Sequence, residues 1–142
     1  MAQVSAFRLL TLRALYALMA FGLGAVIWPS LLSPRAAAPD PASVVHALLG
    51  ALGLLAAVGL RYPLQMLPVL FFELLWKSVW VLAVAMPAWQ QGRLGVYGTA
   101  TLYECLPVFI LFPIAIPWRY VWANYVKAKG APWRLGSPTG AA

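Results

Sequence analysis

Within FFELLWKSVW, residues 71–80, Glu73 and Lys77 stand four positions apart in a run of Leu, Phe, Val and Trp. On a helix this spacing puts both on one face, with the acid on the N-terminal side, the favourable order. A single charge in the middle of a membrane helix costs about 2.5–3.5 kcal/mol on insertion scales. An exposed ion pair returns only about 0.2–1 kcal/mol, so the two charges need a protein-lined or wet surrounding. Trp76 and Trp80 follow Glu73 by three and seven positions, close to the same side. Their rings are placed to shield the pair, donate indole N–H bonds to the carboxylate, or offer a face to the ammonium. Two readings follow: a buried ion pair that fixes helix register, or a site that recognises a ligand, a proton or a partner.

His46, Tyr103 and Glu104 extend this set. His46 falls about five residues into the second apolar stretch and Glu104 about five beyond Thr99 in the fourth. At 1.5 Å per residue both are expected roughly 7–8 Å inside their helix starts. Lys77 lies deeper, with a stem long enough to reach back toward them. A small polar chamber combining His46, Lys77, Glu104, Tyr103 and Thr101, with Glu73 below, is the expected ligand or proton site. The plainer reading makes His46 a packing or hydrogen-bonding residue and Glu104 part of a structural network. Cys105 adjoins Glu104 but points elsewhere on a helix, and it is expected to be a small buried apolar residue rather than a nucleophile.

The remaining chemistry is sparse. One cysteine, one histidine and three acids among 142 residues leave no intrachain disulfide and no compact metal-ligand spacing. The chain carries no nucleophile-elbow, HExxH, haem-attachment, dinucleotide-binding or phosphate-loop motif. No reaction is specified and neither a metal nor a cofactor is expected; an intramembrane enzyme would have only Glu73, Glu104 and His46 as acid–base candidates.

The elements that position these residues are membrane helices. Hydrophobic residues make up 63% of the chain and charged ones 9%, against roughly 45–50% and 25% in soluble domains. The expected fold is all-α: one polytopic integral membrane domain, a four-transmembrane-helix bundle, with spans at about residues 13–32, 41–60, 64–86 and 99–117. SPRAAAP sets Ala36 and Ala38 in a small-x-small cleavage pattern, but the preceding apolar run exceeds the 7–15 residues of a usual signal core, so the first helix is expected to be retained. Asp40 and Pro41 supply an N-cap and a first helical residue for the second. Gly50, Gly53 and Ala57 share one side there and are expected to pack against protein.

Pro68 is expected to bend the third helix and Pro87 to end it. AWQQGRLGVYG then reads as a polar turn with interfacial Trp89 and Tyr97. Pro107, Pro113 and Pro117 make a straight fourth helix unexpected. Its continuation, about residues 118–127, is expected to bend onto the interface, with an apolar aromatic face and Arg119 and Lys127 toward headgroups. Residues 130–142 read as a weakly ordered tail.

Ten cations against three acids give +7. With the N terminus cytoplasmic, four passes put Arg8, Arg13, Arg61, Arg119, Lys127, Lys129 and Arg134 inside and only Arg35 and Arg93 outside. The positive-inside bias therefore predicts both termini in the cytoplasm, in a bacterial inner membrane or an equivalent plasma membrane. The cations flank apolar stretches singly and form no nucleic-acid stripe. The leading functional class is a binding or assembly module for an apolar or amphiphilic ligand or a membrane-protein partner. The alternative is a small proton-coupled transporter or oligomeric channel working through the Glu, Lys and His site, which at this size needs a homo-oligomer.

Overall fold

A computed structural model describes residues 4–33 and 39–130. Arg35, the Ala36/Ala38 pattern, Arg134 and the tail beyond residue 130 lie outside the described residues. Every regular element among the described residues is helical, and four spans are long and apolar enough to cross a membrane. The protein is an all-α, membrane-spanning four-helix bundle.

Helix α1 runs Ala6–Leu31, starting well before residue 13; Ser5 caps it, its side chain accepting from the Arg8 N–H at 3.4 Å. Helix α2 runs Pro41–Arg61 behind Asp40, whose carboxylate accepts from the Ser43 N–H at 2.7 Å. Together they form the tightest hairpin of the bundle. It is antiparallel: Leu31 lies against Gly50, Leu23 against Gly53 and Tyr16 against Gly59. The contact stripe advances by three residues, so its buried members are Gly50, Gly53, Ala56 and Gly59. Ala57, four residues past Gly53, is rotated off that stripe and exposed, a correction to the expected face.

The Tyr16 ring shows why Gly59 is glycine. Tyr16 is fully buried and its hydroxyl donates to the Pro63 carbonyl at 3.0 Å. A Cβ on Gly59 would fall 2.5 Å from the ring's Cδ1 atom, so the side chain reaches its acceptor only across a bare backbone. This lock joins α1, the end of α2 and the turn that leads to the third span.

The third span, Leu67–Gln90, is one continuous rod made of α3 (Leu67–Trp80), a π-helical turn (Val81–Ala85) and α4 (Met86–Gln90). It begins at Leu67 rather than residue 64, so Pro68 falls in the first turn, where a missing N–H is harmless, and starts the helix instead of bending it. It also passes through Pro87, expected to end it. Proline lacks an N–H and crowds the carbonyl four residues back; the π turn, closed by the Met86 N–H on the Val81 carbonyl, widens the helix where that ring must fit.

Gly92 and Gly95, both at φ 66°, make the short left-handed reversal into α5, Gly95–Ala115. Trp89 and Tyr97, expected in the turn, are therefore on helices. At the far end of α5, Pro117 has no N–H for the Pro113 carbonyl. The Trp118 indole donates to that oxygen instead, at 2.8 Å, and fixes the direction of α6 (Trp118–Val121) and the π turn Trp122–Val126. Trp118 and Tyr125 then pack on Phe71 of α3, with centroids at 6.3 and 6.2 Å. Burial pushes the Tyr125 phenol above its usual range, and nearby Tyr120 adds to the rise.

The core is concentrated at the end of the bundle that carries Pro63, where Leu12, Tyr16, Leu67, Leu70, Phe112 and Ile116 interlock. Most large apolar side chains outside it are exposed, including Phe21 at 73% and Ile114 at 70%. That outer surface suits lipid, in which apolar side chains are already solvated.

Candidate functional site

Beyond the core, α1, α3 and α5, with Leu49 of α2, border a cavity of about 530 Å³, within the roughly 300–1,000 Å³ range of small-ligand sites. Helix α3 turns Glu73 inward, leaving it 3% exposed. Its Oε2 atom accepts from Lys77 Nζ and, at 3.2 Å, from Trp76 Nε1. The Lys77 ammonium also lies 4.1 Å from the centre of the Trp76 ring. One indole thus serves both partners, its edge on the carboxylate and its face on the ammonium, which is the polarity each part of the ring offers. All three residues come from consecutive turns of one helix.

Helix α5 supplies the opposite wall with Thr101, Glu104, Val108 and Phe112, while α1 contributes Leu18 and Leu23. The cavity is therefore apolar along most of its wall and charged at one corner. Thr101 donates its hydroxyl hydrogen to the Tyr97 carbonyl at 3.0 Å, leaving its oxygen free to accept. Cys105 is buried beside Glu104 at 1% exposure.

Of the residues singled out from sequence for the site, Glu73, Trp76, Lys77, Thr101 and Glu104 border this one cavity. Trp80 does not: it belongs to an outward groove with Phe72, Leu75 and Val79. Seven residues carry it about 10 Å along the axis from Glu73, and Trp76, one turn away, already occupies the shielding position. Tyr103 is 68% exposed and outside the lining, since adjacent helical positions diverge by about 100°; Glu104 borders the cavity but is itself exposed, at its rim, and Cys105 takes the buried side of α5. His46 is half-buried on α2, also outside the lining.

The equal-depth expectation for His46 and Glu104 fails on the helix bounds. Because α5 starts at Gly95 rather than Thr99, Glu104 is nine residues in, roughly 13–14 Å at 1.5 Å per residue. His46 is five residues past Pro41, roughly 7–8 Å on the same scale. Glu104 shares the cavity lining with Lys77, and His46 does not. A carboxylate this deep without a counter-charge costs on the order of 2.5–3.5 kcal/mol.

Leu18 and Leu23 had no sequence signal, since the α1 run is apolar all round. Among the described residues no group of three His, Cys, Asp or Glu is placed to hold a metal ion. Compared with protein-family models, curated proteins and solved structures, the chain has no significant match.

Proposed function

We propose that the protein is a membrane-embedded binding module that seats the apolar body of an amphiphile between α1, α3 and α5 and its polar head against Glu73, Lys77 and Glu104. The observation that carries this reading is one cavity with apolar walls and a charged corner, inside helices long enough to span a bilayer. A structural ion pair by itself needs no adjoining space. The test is photo-crosslinking with dodecanol bearing a mid-chain diazirine, on protein in nanodiscs, with labelled residues mapped by mass spectrometry. Labelling concentrated on cavity residues such as Leu23 and Phe112, and suppressed by excess dodecanol, is expected. Labelling no stronger there than on the exposed Phe21 and Ile114 overturns the reading.

A second reading, proton-coupled transport or an oligomeric channel, draws support from the π-helical turn Val81–Ala85 one turn beyond Lys77, since such turns recur at functional sites. It requires proton or ion flux in proteoliposomes without an added amphiphile. The broad apolar surface also suits a second copy or another membrane protein. For orientation we infer both termini cytoplasmic in a bacterial inner membrane or its equivalent, on the excess of Lys and Arg that four passes put on one side.

A further inference from the structure

The charges around the cavity do not balance. Lys77 is already held by the Glu73 carboxylate and the Trp76 ring. Glu104 brings a second carboxylate to the same space from the other wall. Glu73–Lys77 is the ion pair found among the described residues, and none of the described cations lies within pairing distance of Glu104, which stands exposed at the cavity rim. His46 is outside the lining. Two carboxylates and one ammonium give the site one formal negative charge, at a depth where an unpaired charge is unfavourable.

The apolar walls cannot select among amphiphiles of equal chain length. Lipid tails are as apolar as the Leu and Phe that line the cavity, so moving a chain from bilayer to protein gains little. Selectivity has to come from the head. An anionic head would meet Glu104 while the one nearby cation is engaged, and a neutral head would leave Glu104 uncompensated. A protonated amine pairs with Glu104 and has a further acceptor in the Thr101 oxygen, whose own hydrogen is committed to Tyr97. Charge-assisted bonds of this kind are about twice as strong as neutral ones.

Resting on the amphiphile reading above, we propose that the occupant is cationic: a long-chain ammonium compound whose nitrogen sits against Glu104, with the Glu73–Lys77 pair as the fixed floor of the site. Glu104 is the residue that determines specificity, and Glu73, whose charge is balanced by Lys77 and whose Oε2 atom accepts from both Lys77 and Trp76, holds the floor in place.

The experiment uses the same diazirine-bearing dodecanol as a neutral reporter in zwitterionic nanodiscs at neutral pH. Dodecylammonium, dodecanol and dodecanoate compete for it, each measured as mole fraction in the lipid. Dodecylammonium is expected to displace the reporter at an about ten-fold lower mole fraction than dodecanol, with dodecanoate weakest. In Glu104→Gln the reporter should still label the cavity while the advantage of the ammonium falls to within about two-fold; Glu104→Asp should retain most of it. Equal competition by all three compounds in the wild type, with the cavity still labelled, overturns the cationic specificity and leaves amphiphile binding standing. An unlabelled cavity removes both. If Glu104→Gln does not fold, the wild-type series and Glu104→Asp still decide.

Discussion

Glu73→Gln removes the counter-charge from an ammonium whose side chain is 12% exposed, and Lys77→Met strips one from a carboxylate whose side chain is 4% exposed. Breaking one side of a buried pair costs about 3–5 kcal/mol, because the surviving charge is left uncompensated. Trp76 softens both losses. Its ring face stays available to Lys77 in the first variant, worth roughly 0.5–2 kcal/mol. In the second its N–H still reaches the Glu73 carboxylate at 3.2 Å, a bond to a charged group worth roughly 1.5–3 kcal/mol. Each single replacement is therefore expected to lower stability by about 2–4 kcal/mol. The double variant carries no charge and keeps an amide acceptor for Trp76, so it should lie within about 1 kcal/mol of wild type. The resulting coupling, about 3 kcal/mol or more, is at or above the upper end for contacting residues. Reversible unfolding in bicelles, followed by steric trapping across the four-member cycle, measures it. Single effects that add to within about 0.5 kcal/mol in the double variant would refute the direct pair and the buried floor of the site.

The α1–α2 lock gives an independent test: Gly59→Ala drives a Cβ to 2.5 Å from the Tyr16 ring, and the same unfolding assay should show a loss of about 1–3 kcal/mol from overpacking. Tyr16→Phe removes only the 3.0 Å bond to Pro63 and should cost about 0.5–1.5 kcal/mol; a Gly59→Ala effect smaller than this would contradict the close ring–backbone approach. For topology, single cysteines introduced after replacing Cys105 should label from outside at residues 35–40 and 91–94 and from inside at 127–142. Outside labelling of the C-terminal segment would reverse the orientation inferred from the cations.

The sequence by itself determined whatever depends on one stretch of chain. Apolar length set the four spans, Asp40 and Pro41 set the start of α2, and the spacing of Glu73, Trp76 and Lys77 put all three within reach of one another because one helix carries them. Gly50 and Gly53 also pointed to a packed face, since a missing side chain is a signal that survives in lipid. Tertiary structure decided which faces meet across the bundle. In water the buried face of a helix differs from the exposed one in hydrophobicity, and the pattern can be read. In a bilayer both faces are apolar, so nothing along α1 marked Leu18 and Leu23 as cavity wall, and nothing on α5 separated Glu104, at the cavity rim, from Tyr103, outside the lining. The distance of Glu104 from its helix start likewise hung on where the reversal at Gly92 and Gly95 ends, and the run through Pro87 hung on a π turn. Those choices depend on how separate helices fit together, or on backbone geometry with no residue signature, and that is why the charged corner was legible in the sequence while the cavity beside it was not.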